Sequence, residues 1–476
     1  MAEKKSQAEQ LKEKLFYVKK HATLVMSEQE EKKADKYCEG YKKFLDAGKT
    51  EREAAAAAVA MAEKAGFVPF DKKAQYKAGD KIYVLNREKA VILAVIGKSD
   101  ISNGVNLTAA HIDSPRLDLK QNPLYESDEL GYFKTHYYGG IKKYQWVAMP
   151  LALHGVIIKK NGEKVPVNIG EDENDPVFCI SDLLIHLAQE QMAKNAKDVV
   201  EGEALDLIVG GRPLAGEEKD AVKANVLKLL DDKYGVEEED FLSAELEIVP
   251  AGKARDMGFD RSMILGYGHD DRVCAYPSMM AVLDYEGTPD YTLCCIITDK
   301  EEIGSVGATG MASHYLENTV AELYACTADY CELAVRRCLR NSRMLSSDVS
   351  AGYDPNFASA FEKKNSAFLG RGICFNKFTG SRGKSGSNDA NPEFMASLRK
   401  IMDDAGVAFQ TAELGRVDLG GGGTIAYLCA KYGMNVIDSG IAVLSMHAPY
   451  EIISKVDLYE GYRCYCAFLK GAKPVD

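Results

Sequence analysis

Residues 292–308 read TLCCIITDKEEIGSVGA. An apolar run of strand length, Thr292 to Thr298, delivers three acids, Asp299, Glu301 and Glu302, and the chain then breaks at Gly304 and Gly307. The pattern is strand, acids, glycine turn. Adjacent residues of an extended segment point to opposite sides, but the backbone can bend at a strand's end, so Glu301 and Glu302 can reach one cavity in different roles. One carboxylate could hold a metal while its neighbour handles protons. Taken alone, the run reads as a solvated acidic turn, because charged residues are mostly exposed. The rest of the chain has to supply partners.

Working outward, IYVLNR at 82–87, AVILAVIG at 90–97 and VNLTAAHID at 105–113 are short apolar runs divided by charged or Gly/Asn punctuation, which predicts three strands. The third ends at His111 and Asp113. From Met263 onward we expect a helix near 273–283, the acid-bearing strand, a helix around 305–316, an apolar strand at 322–327 and a helix over 391–405. VIDSGIAVLSMHAPYE, 436–451, then ends in another ligand type, His447. Strands alternating with helices predict an α/β fold with a mostly parallel mixed sheet covered by helices on both faces. Ahead of it, residues 6–65 are rich in Ala, Glu and Lys and predict two or three helices interrupted near Gly48. Between the two halves the character changes. Residues 125–164 are aromatic and turn-rich, 150–170 suit a hairpin turned at Asn161-Gly162, and helices are expected at 181–194 and 219–234. These readings divide the chain into a discontinuous catalytic unit, 1–122 and 263–476, and an inserted β-rich unit, 123–262.

The 476 residues exceed what one hydrophobic core usually organises. A net charge of −12 with no basic stripe excludes non-specific nucleic-acid binding. The charged start, MAEKKSQAEQLKEK, lacks the apolar core of a signal peptide, and no run approaches the ~18 apolar residues of a membrane span, so a cytoplasmic protein without membrane partners is expected. The twelve cysteines form no Cys-x-x-Cys pair and read as reduced, buried small hydrophobes.

The polar residues at the ends of apolar runs are His111 and Asp113, Asp270 and Asp271, Glu301 and Glu302, Asp348, and His447. In an open α/β sheet such residues converge outside the carboxyl ends of the strands. Two imidazoles and several carboxylates suit two divalent ions with one carboxylate between them. Asp113, two residues beyond His111, can take the imidazole's remaining N–H.

Several segments resemble, in order, the aspartyl aminopeptidases, a branch of the co-catalytic metallo-aminopeptidases. They are TAAHIDSPRLDLK (108–120), YYGG (137–140), DLLIHL (182–187), GYGHDDR (266–272), DKEEIGSVGATG (299–310), SSDVSAGYDPN (346–356) and the run from GGGGTIAYL to MHAPYE (420–451). The resemblance implies His111, Asp270, Glu302, Asp348 and His447 as metal ligands, with Asp270 bridging. It implies Glu301 as the general base, Asp113 as the acid orienting His111, and His186 as a residue completing a neighbouring subunit's site. It further implies two divalent ions, zinc with cobalt or manganese as alternatives, peptide substrates with a free N-terminus, and an insert that builds dimers which assemble into a dodecamer. A metal-dependent deacylase or carboxypeptidase on the same sheet, and a non-catalytic scaffold, remain the rival readings.

Two stretches depart from the family pattern. Where the family has His-x-x-His-Pro-Asn after the Asp348 ligand, this chain has AGYDPN, and where it has a lysine suited to acidic substrates, this chain has Cys374, with Lys377 or Arg371 nearby. Acidic and neutral N-terminal residues therefore both stand as substrates. Gly420 to Gly423 lacks the Lys-Ser/Thr of a phosphate loop and reads as close backbone approach. The polar stretch 379–386 reads as a solvent-exposed connection.

Overall fold

The computed structural model describes residues 6–18, 20–380 and 382–475; the first five residues and Ser381 of the 379–386 connection lie outside these. A nine-stranded mixed sheet forms the centre. Its four inner strands, Leu293–Thr298, Asn106–His111, Arg343–Ser347 and Asn435–Gly440, run parallel in that order, with Thr298 beside His111. Lys81–Asn86 and Ala90–Val95 extend one side and Ile373–Asn376 and Phe409–Thr411 the other. The inner strands are buried along their length and read as continuous apolar runs, as expected when helices cover both faces.

One face packs on helices Glu28–Ala47, Glu51–Lys64, His269–Leu283 and Lys455–Gly471, the other on Tyr315–Ala325 and Glu332–Asn341. The two early helices start where the sequence offers capping boxes, Ser27 with Glu30 and Thr50 with Glu53, each satisfying first-turn amides.

A second, wholly antiparallel sheet runs from Arg116 to Pro250. Its order is Lys164–Ile169, Leu151–Ile158, Ala244–Pro250, Arg116–Ser127, Leu130–Tyr138, Leu207–Gly210. The hairpin expected at Gly162 is present, with that glycine at φ +86°. Helix Ala221–Tyr234 matches the expected 219–234. The sheet docks on helix Glu51–Lys64 through a buried ionic seam: Arg116 lies 3.3 Å from Glu51 and 3.1 Å from Glu247, and Lys89 lies 3.2 Å from Glu51.

Three local expectations are corrected. Residues 322–327 are the end of helix Tyr315–Ala325 and the turn after it, not a strand; Leu316, Val320, Leu323 and Tyr324 bury one helical stripe, and a short apolar run cannot by itself distinguish the two periods. The helix expected over 305–316 begins only at Tyr315, because Ser305 and Gly307 adopt positive φ in a turn. Residues 181–194 form only a 3-10 turn, Ile185–Leu187, and one helical turn, Gln189–Met192. Leu183, Leu184, Ile185 and Leu187 there are 47–69% exposed, so no apolar face is packed to hold a longer helix.

Candidate metal centre

The residues singled out at strand ends meet at the carboxyl edge of the inner strands, where open α/β sheets place their ligands. His111 closes its strand, Asp348 follows Arg343–Ser347, and Glu301 and Glu302 occupy the 3-10 turn after Leu293–Thr298. His447 lies just beyond Ala442–Leu444. Asp270 enters on the first turn of helix His269–Leu283. The turn before it needs Gly268: its φ is +75°, and a Cβ there would sit 2.0 Å from Arg272 Nη1.

Asp270 is the common member. Its Oδ1 lies 3.2 Å from His111 Nε2 and its Oδ2 lies 3.3 Å from His447 Nε2. Asp348 Oδ1 is 3.9 Å from His111 Nε2, and Glu302 Oε2 is 3.5 Å from His447 Nε2. Two triads result, His111–Asp270–Asp348 and Asp270–Glu302–His447. Ligand atoms about 2.0–2.1 Å from a tetrahedral zinc stand ~3.3 Å apart, which the 3.2, 3.3 and 3.5 Å spacings match and the 3.9 Å one exceeds. Asp270 Oδ1 and Glu302 Oε1 are also buried without a hydrogen-bond partner, which leaves acceptors free for a cation.

The rings are oriented from behind. His447 Nδ1 lies 2.8 Å from the Gly140 carbonyl and His111 Nδ1 3.0 Å from the Asp113 carbonyl. A carbonyl only accepts, so Nδ1 carries the proton in both rings and Nε2 is the nitrogen left for a metal. The Asp113 carboxylate also receives the Glu301 amide at 3.1 Å, the Glu302 amide at 3.2 Å and the Tyr138 hydroxyl at 2.8 Å. Glu451 accepts the amides of Asp270 at 2.9 Å and His447 at 2.7 Å, holding His447 at φ +65°, outside the usual range for a side-chain-bearing residue. Sequence reasoning missed Glu451 and Tyr138. Both act on backbone amides or another acid, and neither leaves a ligand-like signal in its spacing.

Charge points the same way. Burial first, then repulsion among neighbours, pushes Asp271, Glu302 and Asp348 well above the ordinary carboxylate range, and Glu451 to about 8. Burial opposes charge on His111 and His447 as well, yet the carboxylates around them outweigh it and raise both, His447 to about 10. A divalent cation among these groups would restore the ionised carboxylates that burial and mutual repulsion disfavour, and the donor set suits one. By contrast the triad Glu51–Glu245–Glu247 already has Arg116, Lys89 and Arg52 against it.

Beside His447 opens a cavity of about 700 Å³, walled by Phe357, Phe361, Leu444 and Met446, with Lys142 and Asp354 as its charged rim. Neither lysine substitute expected from sequence reaches it. Lys377 pairs with Asp389 at 3.3 Å, and Arg371 stacks on Phe368 at 4.2 Å. Cys374 is buried in its strand. His186 is not brought to the cluster either; it sits in the exposed turn Ile185–Leu187.

The sequence pattern of the family described as "Aminopeptidase I zinc metalloprotease (M18)" matches residues 44–469. The chain belongs to the M18 aminopeptidases. A Clostridium acetobutylicum protein named "Probable M18 family aminopeptidase 1" is 58% identical over 434 residues, covering 90% of this chain and 93% of that protein. The crystal structure of aminopeptidase I from the same organism superposes with a TM-score of 0.88 at 52% identity, covering 96% of this chain and all of that one. The M18 aminopeptidase from Thermotoga maritima gives 0.92 at 42% identity with the same coverage. The chain is accordingly a metallo-aminopeptidase of a zinc family, which excludes the non-catalytic scaffold and agrees with the resemblance and the α/β architecture read from the sequence. Among the described residues no helix is long and apolar enough to cross a membrane.

Proposed function

We propose that this M18 aminopeptidase removes single N-terminal residues from peptides at a two-metal centre. The observation that carries the reading is the placement of Asp270, one oxygen facing each histidine. His111, Asp270 and Asp348 would hold one ion, and Asp270, Glu302 and His447 the other, zinc by family and cobalt or manganese by ligand type. Bound there, the ions would polarise the scissile carbonyl and make a water more acidic. Glu301, in the same turn as Glu302, takes a proton from the attacking water and returns it to the leaving amine nitrogen. Asp113 keeps the His111 ring and the Glu301–Glu302 turn in place. Membership of an aminopeptidase family favours this reading over a carboxypeptidase.

The apolar wall beside His447 favours a neutral N-terminal side chain, since an acidic one would meet a single lysine already accompanied by Asp354. On an aminoacyl-nitroanilide panel, Leu and Met substrates are expected to exceed Asp and Glu substrates in kcat/KM by about tenfold or more, the scale on which apolar pockets discriminate. The reverse order would remove the neutral preference, and cleavage of N-acylated substrates at equal rates would favour a deacylase.

The exposed apolar turn carrying His186 supports a second assignment. Residues 123–262 would form the dimer-building unit, and 1–122 with 263–476 the catalytic one. Leu183, Leu184, Ile185 and Leu187 would be covered by a second copy, with His186 completing that copy's site. Such dimers would close into a larger particle in the reducing cytoplasm, where twelve free cysteines are at home; a chain of 21% identity and TM-score 0.73 was solved as the S. cerevisiae mApe1 dodecamer. His186→Ala is expected to lower kcat by about two orders of magnitude while particle mass, by light scattering, and bound metal stay constant. Unchanged kcat would return His186 to a surface role.

A further inference from the structure

The strand Leu130–Tyr138 belongs to the six-stranded sheet, which contributes none of the clustered donors, yet its end reaches directly into the metal centre. Tyr138 lays its ring 3.9 Å from the Arg116 guanidinium and donates its hydroxyl to Asp113 Oδ2 at 2.8 Å. Gly139 follows at φ +75°, so close to Glu302 that a Cβ there would stand 3.3 Å from both Glu302 Cβ and Oε2. The Gly140 carbonyl then takes the His447 Nδ1 proton at 2.8 Å. Three consecutive residues thus touch the support of His111, the side chain of Glu302 and the ring of His447.

Tyr138 is more than a buried tyrosine satisfying its own hydroxyl. Its acceptor is completely buried and already gathers the Glu301 and Glu302 amides and the His111 ring. The hydroxyl supplies the donor that arrives from outside the catalytic sheet. Without it, Oδ2 keeps a single amide, and the carboxylate holds the His111 ring and the Glu301–Glu302 turn less firmly. Arg116 holds the phenol from its other face and is itself anchored by Glu51 and Glu247.

We propose that Tyr138 is a positioning residue of the metal centre, fixing the Asp113 carboxylate, and through it His111 and the Glu301–Glu302 turn, from the neighbouring sheet. The assignment rests on the two-metal reading above. The test titrates cobalt(II) alone into metal-free, full-length protein and reads the visible ligand-field bands together with competition by a chelator. Tyr138→Phe keeps the ring over Arg116 and removes one oxygen. It is expected to bind cobalt about 10- to 100-fold more weakly with altered bands, and after loading to lose kcat by a similar factor with KM little changed. In an Asp113→Asn background the same substitution is expected to add nothing, whereas a merely structural tyrosine gives additive losses. Wild-type affinity, bands and kcat in Tyr138→Phe, or additivity in the double variant, would overturn the assignment. His111→Ala serves as the internal reference: if it titrates like the wild type, the two-metal reading fails and this one with it. Thermal melting checks the fold. If Tyr138→Phe proves unfolded, 3-fluorotyrosine at position 138, a stronger donor of the same shape, is expected to shift the bands, and unshifted bands then count against the proposal.

Discussion

Glu301→Gln is expected to lower kcat by about 10²- to 10⁴-fold, the usual contribution of a positioned general base, while the protein keeps its full complement of metal. The two parts of this expectation have separate physical grounds. Glu301 belongs to neither donor triad, so its amide replacement leaves the cation sites intact. Gln has nearly the same shape but cannot take a proton, so the attacking water and the leaving nitrogen both lose their proton carrier. Burial, the largest cause, pushes Glu301 up to about 7, and bound cations would lower it again by favouring its ionised form. A base works ionised, so kcat/KM of the native enzyme should rise with pH through an acid limb at or below about pH 7, and the residual activity of the variant should lack that limb. Metal content by atomic absorption beside a pH–rate profile is the check. Full turnover with metal bound would remove Glu301 from the mechanism.

Asp270→Ala is expected to have the larger effect on the metals themselves, because it strips a donor from both triads at once. The remaining pairs, His111 with Asp348 and Glu302 with His447, offer two protein ligands each where catalytic zinc sites typically have three. We expect zinc retained after dialysis to fall from about two ions per chain to below one, with peptidase activity lost together with it, whereas His447→Ala should spare the His111 ion. The side chain is buried and its loss also leaves the two histidines facing one another, so melting is measured in parallel. Retention of two ions by Asp270→Ala would show that the carboxylate is not shared.

Much of this centre was legible in the amino-acid order because its donors stand where apolar runs stop. His111 ends a strand, Asp348 directly follows one and Glu302 lies in the turn after another, and an apolar run with a polar end is visible in a single sequence. What sequence alone does not carry is support given through the backbone. Glu451 serves two amides and Tyr138 serves an acid on another sheet, and both partners exist only after folding. The misread elements have a related cause. Residues 322–327 are too short to separate a period of two from one of 3.6, and 183–187 are apolar yet stay exposed within one chain, so burial inferred from hydrophobicity misled there.

The clustered donors are drawn from positions 111, 270, 302, 348 and 447, so no stretch translated before His447 holds them all. A polypeptide still on the ribosome holds His111 long before His447 exists. Because a site that is not preformed gains its binding energy only on folding, zinc would be captured by the folded molecule rather than by its separate segments. On the two-metal reading, a chain not yet translated through His447 would leave the free N-termini of other newly made proteins uncut.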